Sequence, residues 1–273
     1  MSSGNFTTVL AIAVLASVSI VIASEPIVHQ VNSPRQSAMT SVRILLPDRL
    51  PGDGEPRLPA VYVLPVEAGD GTRWGDSLAE VQKHDLHNKH RVVCVFPTFS
   101  ELPWYADHPE NTQLQQEAYL LQDVRPLVEH NHPVLKVREG RLLVGFSKSG
   151  WGAWSLLMRH PDVFYRAAAF DAPMMLDAPV QYGSGPIFGT VENFRRYQVS
   201  SLLEQRAEDF RKEPSRLMLI GKGNFQPQHV QIKDRLASVQ IPHTWIEGPV
   251  REHSWHGGWL SEAFEWLTEV SPR

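Results

Sequence analysis

Arg141-Leu142-Leu143-Val144-Gly145-Phe146-Ser147-Lys148-Ser149-Gly150 is an apolar run that delivers a serine into a tight, glycine-flanked turn, and Trp151-Gly-Ala-Trp-Ser-Leu-Leu-Met-Arg159 continues it with a helical pattern. A serine hydroxyl is a poor nucleophile in water, so a fold that uses one pushes it out on a sharp strand-to-helix turn beside a base. The usual pattern of such an elbow is G-x-S-x-G. Here Ser149 takes the last position and Gly150 follows it, a small-for-small departure. A Gly/Ser turn of this kind also joins strand to helix in α/β proteins without serine chemistry, so the flanking sequence has to decide.

Outward from the turn, His160-Pro161 ends the helix and Arg166-Ala-Ala-Ala-Phe170 reads as the next buried strand. Near the C-terminus, strand-like Thr244-Trp-Ile-Glu247 leads into a loop, Gly248 to Trp255, that carries His253 ahead of a final amphipathic helix. Serine first and histidine after the last strand is the chain order of α/β-hydrolases, with the acid between them. His256 is the rival base, but it falls at the start of the terminal helix. Toward the N-terminus, Ser41 to Leu46 reads as an extended segment, Ala60-Val-Tyr-Val-Leu64 as a strand, and Arg91-Val-Val-Cys-Val-Phe96 as a buried parallel strand. Strands alternating with helices predict a mostly parallel central sheet with helices on both faces. Met174 to Pro214 interrupts the alternation with Gly183-Ser-Gly-Pro186 and amphipathic Val191–Arg211, which predicts a small cap over the elbow. Its Tyr182, Phe188, Phe194 and Tyr197 either line a pocket or pack the cap down.

With these residues in hand, the chain resembles the esterase D-type putative esterases of the α/β-hydrolase superfamily, over residues 40 to 270. The resemblance rests on Gly-Phe-Ser-Lys-Ser-Gly at the elbow, Arg159-His-Pro-Asp-Val-Phe164, the Pro97-to-Pro109 segment with Trp104-Tyr105, and His253-Ser-Trp255. It implies an α/β-hydrolase fold and hydrolysis of carboxylic esters or thioesters, with some acyl transfer. The substrate would be a small-molecule or carbohydrate-linked ester, and no cofactor is implied. Peptide cleavage and a catalytically silent binding domain are the other functions such a fold can carry.

Two departures bear on the site. The family's His-Gly after its third strand is Pro65-Val66 here; since only a backbone N–H is needed, Glu67 can supply one oxyanion donor and Lys148 the other. The family's acid follows the penultimate strand, Arg216-Leu-Met-Leu-Ile-Gly-Lys-Gly-Asn224, and that place is held by Asn224. An asparagine can orient an imidazole but cannot stabilise the imidazolium. Asp171 is the substitute, because it directly follows the Arg166–Phe170 strand and stands at the sheet edge that carries Ser147; its other reading is a carboxylate capping the turn into Ala172-Pro173. Glu247 and Glu252 are weaker candidates, one too far up the strand and one adjacent to His253. Trp104 and Tyr105 follow a strand end, so they either stack on a sugar or phenolic ring near the site or seal the loop.

The composition fits a single domain from 41 to 273, with a cap segment at about 174–214 and a linker at 25–40: 42% of residues are hydrophobic and 21% charged, enough for a full core. A net charge of -4 leaves no basic footprint for nucleic acid. Val9 to Ala23 is nearly uninterrupted apolar sequence ending in Val21-Ile-Ala23, so residues 1–24 read as a secretory signal peptide, or as an uncleaved membrane anchor. Export to the periplasm or beyond follows from the first reading, with no stable membrane partner other than that segment. The single Cys94 rules out an intrachain disulfide and lies in a buried strand. His84, His87 and His90 form a row at spacing three on a helix expected from Asp76 to His90, share one face only approximately, have no accompanying carboxylate triad, and read as a solvated helix end, not a metal site.

Overall fold

Four central strands carry no polar alternation because both their faces are covered, and every residue in them is buried: Ala60–Val63 (β3), Val93–Pro97 (β4), Arg141–Phe146 (β5) and Arg166–Phe170 (β6). The computed structural model describes residues 25–269, so the apolar segment read as a signal or anchor lies outside the described residues. Ile27–Val31 (β1), Thr40–Leu45 (β2), Leu217–Lys222 (β7) and His243–Val250 (β8) complete an eight-stranded sheet in the order β1-β2-β4-β3-β5-β6-β7-β8. Only β2 runs against the others: it pairs antiparallel with β1 and β4, and every pair from β4 through β8 is parallel. This is the α/β-hydrolase fold.

Helices cover both faces. Ser77–Lys83 (α1) and Leu86–Lys89 (α2) share one apolar cluster with the C-terminal helix, through Val81, Leu86, Phe264 and Leu267. Gln116–Tyr119 (α3) runs through a π turn at Leu120–Val124 into Arg125–Asn131 (α4), and these pack with the elbow helix Ser147–Arg159 (α5) on the opposite face. Between β6 and β7 the chain forms a cap of four short helices, Gly185–Phe188 (α6), Val191–Tyr197 (α7), Val199–Gln205 (α8) and Ala207–Arg211 (α9). Gln226–Ser238 (α10) joins β7 to β8, and Leu260–Thr268 (α11) closes the described chain.

Three expectations are corrected here. Residues 25–40 are not only a linker, because Ile27–Val31 pairs along β2 as the outer strand; its half-exposed, polar-interrupted sequence gave no strand pattern. The helix expected from Asp76 to His90 breaks at Asp85, whose φ of 55° no helix continues, while Asp76 Oδ1 caps α1 by accepting from Leu78 and Ala79 N–H. Amphipathic Val191–Arg211 is three helices. The cap is fixed to the body by Asn193, which donates to the Asp107 carbonyl at 2.8 Å, and by the Ser155 hydroxyl, which donates to the Tyr197 carbonyl at 2.7 Å. Phe188, Phe194 and Tyr197 are accordingly buried packing residues, and only Tyr182 stands half exposed.

Candidate active site

Phe146 and Phe170 pair across β5 and β6, so Ser147 and Asp171 are the first residues beyond the same rung of the sheet. Both turn there with positive φ, 53° and 38°, a conformation that costs a side-chain-bearing residue of order 1–3 kcal/mol and persists only where the surroundings impose it. At the elbow Ser149 imposes it. Its hydroxyl donates to the Phe146 carbonyl at 2.9 Å and accepts from the Phe146 N–H at 3.1 Å, closing the turn on itself. Gly145 is required beside it, since a Cβ would lie 2.5 Å from Ser149 backbone carbon. The serine in the last motif position therefore has a job that a glycine could not do.

Asp171 is fully buried, and its carboxylate is ringed by donors. Oδ2 accepts from His253 Nδ1 at 2.6 Å and from the Asn224 N–H at 2.8 Å, and Oδ1 accepts from the Phe225 N–H at 2.6 Å. Burial raises the proton affinity of the carboxyl, but the hydrogen bonds from His253, Phe225 and Asn224 together outweigh it and hold the group below the usual aspartate range. A carboxylate can only accept, so Nδ1 carries the proton and Nε2 is left with its lone pair. The strand end expected to supply the acid, after β7, supplies backbone N–H groups instead. Gly223 makes room there, because a Cβ on it would fall 2.3 Å from Asp171 Cγ. Asn224 takes part through its backbone alone.

His253 is reached from β8 and held by its neighbours. The Phe146 ring meets the imidazole edge-to-face with centroids 5.1 Å apart, Trp74 does so at 5.2 Å, and Phe225 lies at 5.9 Å. The loop is tied down by Trp255 N–H to the Trp74 carbonyl at 2.9 Å and by the Arg251 N–H to the Lys222 carbonyl at 3.0 Å. Among the described residues, neither Ser147 Oγ nor His253 Nε2 has a hydrogen-bond partner, which leaves both open to an incoming molecule.

Lys148 is the second residue of α5, where backbone N–H groups have no intrahelical acceptor. Its side chain folds back over the loop after β3 and donates to the Val66 carbonyl at 3.0 Å, which brings the Val66–Glu67 peptide beside the elbow. Burial, with Arg73 in support and Glu67 opposed, lowers the ammonium's pKa below the ordinary lysine range.

Other expected residues are placed elsewhere. Trp104 and Tyr105 are both fully buried, so neither offers a face to a substrate ring; they pack against α5, Trp104 on Trp151 and Tyr105 over Gly152. A strand end predicts position and says nothing of exposure. His256 Nδ1 donates to Glu80 Oε2 at 2.8 Å, away from Asp171, and Glu247 is an exposed partner of Lys222. His84 pairs with Glu80 and His90 with Thr268, so the histidine row has separate partners; among the described residues no group of three or more His, Cys, Asp or Glu could hold a metal ion. Trp74, Phe225 and Gly223 were missed by sequence reading. Gly-Lys-Gly at the end of β7 was a signal for the last, and Trp74 had none.

The comparisons with known proteins agree with this architecture. The model of the putative esterase family matches residues 33–219. No curated protein matches the sequence. Among solved structures, the chain is similar to FphF, a fluorophosphonate-binding serine hydrolase of Staphylococcus aureus, with a TM-score of 0.73 and 18% identity over 90% of this chain and 100% of that one. It is similar to the S-formylglutathione hydrolase FrmB of the same organism, with a TM-score of 0.70 and 17% identity over 89% and 98%. A ferulic acid esterase aligns with a TM-score of 0.68 and 18% identity, over 89% of this chain and 97% of its own. At these identities the likeness establishes the fold, and the family match, which spans more than half of the chain, establishes that it belongs to the putative esterase family.

Proposed function

We propose that the protein is an exported serine hydrolase that cleaves carboxylic esters through an acyl-serine intermediate. The observation that carries this reading is the 2.6 Å hydrogen bond between His253 Nδ1 and buried Asp171, at the sheet edge that presents Ser147 on a strained turn. Ser147 Oγ attacks the acyl carbon as its proton passes to His253 Nε2, and Asp171 stabilises the resulting imidazolium. The backbone N–H groups of Lys148 and Glu67 receive the oxyanion of the tetrahedral intermediate. The imidazolium then protonates the leaving alcohol. Water, activated by the same nitrogen, attacks the acyl-serine and releases the acid.

Around the histidine, half-buried Trp74 and Phe225 and exposed Tyr182 form an aromatic rim, with Tyr182 edge-on to Phe225 at 5.5 Å. Flat aromatic walls suit a planar acyl or alcohol group, the likeness to a ferulic acid esterase is in keeping with an aromatic acyl group, and the proposal extends to esters of that kind joined to carbohydrate. Export rests on the apolar segment Val9–Ala23.

A fluorophosphonate probe tests the core of the reading. It labels the wild-type protein at Ser147, and Ser147→Ala abolishes both labelling and hydrolysis of short p-nitrophenyl esters, since loss of such a nucleophile costs several orders of magnitude. Activity within about tenfold of wild type in that variant refutes it.

A further inference from the structure

The loop after β3 has an unusual set of anchors. Its ends are tied by backbone bonds, Leu64 N–H to the Val144 carbonyl at 2.9 Å and Gly69 N–H to the Phe99 carbonyl at 2.8 Å. Between them, the two successive carbonyls of Pro65 and Val66 are held by side chains: the Tyr105 hydroxyl donates to Pro65 at 2.5 Å, and Lys148 Nζ donates to Val66 at 3.0 Å. Tyr105 has no freedom of its own, being fully buried with a positive φ of 59° and its ring pressed over Gly152, where a Cβ would come within 2.0 Å. Lys148 takes the neutral Val66 carbonyl although the Glu67 carboxylate is near enough to raise its proton affinity.

From this geometry we infer that the Lys148 ammonium and the Tyr105 hydroxyl are positioning groups that lock two consecutive peptide planes and thereby aim the Glu67 N–H at the oxyanion. A peptide unit is planar, and no cis bond occurs among the described residues, so the Val66 carbonyl and the Glu67 N–H are opposite ends of one rigid plate. Fixing the oxygen fixes the hydrogen. The same cation polarises that peptide, because a donor on its carbonyl strengthens its N–H as a donor. Lys148 thus serves the elbow twice, its backbone N–H as one donor and its side chain as the brace of the other. A loop with Pro65-Val66 where relatives by resemblance carry His-Gly needs such a brace, since neither residue offers a polar side chain to hold the turn.

The inference rests on the esterase reading, and the test separates the two. Lys148→Met keeps the stem and the backbone N–H but removes the ammonium; Tyr105→Phe keeps the ring in the core and removes only the hydroxyl. With a p-nitrophenyl ester, Lys148→Met lowers kcat by about ten- to a hundredfold, short of the loss of a whole oxyanion donor, with KM within about twofold, and Tyr105→Phe does the same more weakly. Lys148→Arg restores kcat to within about threefold of wild type, because it replaces the charged donor. Crystals of Lys148→Met, which need no activity to read, show the Val66–Glu67 peptide rotated or in two orientations. An unrotated, single peptide orientation in that variant, or unchanged kcat in an active enzyme, overturns the inference. A wild-type enzyme that neither hydrolyses esters nor takes the fluorophosphonate overturns the esterase reading instead, while the peptide orientation still decides whether the brace exists.

Discussion

Asp171→Asn removes one charge and almost no volume, so its effect isolates what the carboxylate does for His253. In the wild type three donors converge on it: His253 Nδ1–H and the Asn224 N–H on Oδ2, and the Phe225 N–H on Oδ1. An asparagine has one acceptor oxygen and an NH2 group, and either orientation fails. With the NH2 toward Phe225, two donors face each other and the imidazolium formed during attack has no counter-charge. With the NH2 toward His253, it clashes with the Asn224 N–H and makes Nδ1 the acceptor, so the proton moves to Nε2 and the base is in the wrong tautomer. Loss of a triad carboxylate by this route lowers turnover by about 10³- to 10⁴-fold, equivalent to about 4–5 kcal/mol in the barrier. The assay is kcat on p-nitrophenyl acetate from pH 6 to 9, alongside a thermal melt to show that the variant is folded. The matching control is Asn224→Ala, which keeps the backbone donor and leaves kcat within about threefold. A folded Asp171→Asn enzyme within tenfold of wild type means that Asp171 is only a turn cap and that the acid lies elsewhere.

Two further outcomes follow from named contacts. Gly223→Ala places a Cβ 2.3 Å from Asp171 Cγ, so the carboxylate must move; kcat falls by about a hundredfold, the cost of a displacement near 1 Å in a catalytic group, and a crystal structure with Asp171 unmoved contradicts it. Glu117 is buried among Arg159 and His160: burial raises its pKa, but the charge of Arg159 and the hydrogen bond from His160 bring it down to about 2. A depressed acid stabilises the fold above its unfolded value of 4.5 and loses that contribution as pH falls toward 2, so Glu117→Gln costs about 3 kcal/mol in urea melts at pH 7 and little near pH 2. An equal cost at both pH values shows that the charge is not what Glu117 contributes.

What the sequence shows of this fold depends on how completely each segment is buried. β3, β4, β5 and β6 are unbroken apolar runs because both faces are covered, and their bounds are readable to within a residue or two. β1 is an outer strand with three of its five residues exposed and none buried, so its Ile27-Val-His-Gln-Val31 carries no comparable pattern. The break at Asp85 is set by a single backbone torsion that composition does not announce. At the proposed site, chain order and strand ends pointed to Ser147, His253 and Asp171, and the structure joins the last two by a hydrogen bond. The donors around Asp171 were not, since two are backbone N–H groups that any residue could provide, and the space for the carboxylate depends on Gly223 touching a residue more than fifty positions away. Trp104 and Tyr105 show the opposite failure: their aromatic character suggested contact with a ligand, whereas the fold spends them beneath α5.

Ser147 and Asp171 directly follow neighbouring interior strands, but His253 hangs from β8, which among the described residues pairs only with β7 and is exposed over its second half. The proposed machinery is therefore unequal in durability. An outermost strand frays at lower denaturant than the middle of a sheet, and when this one loosens, the base leaves while the nucleophile and acid keep their places. Heat or urea should silence the enzyme well before its circular dichroism changes, and dilution should revive it within the time a single strand needs to re-dock. Shelf life, on this view, is decided by a few hydrogen bonds along one rim, and stitching β8 to β7 would lengthen it without touching a residue that meets substrate.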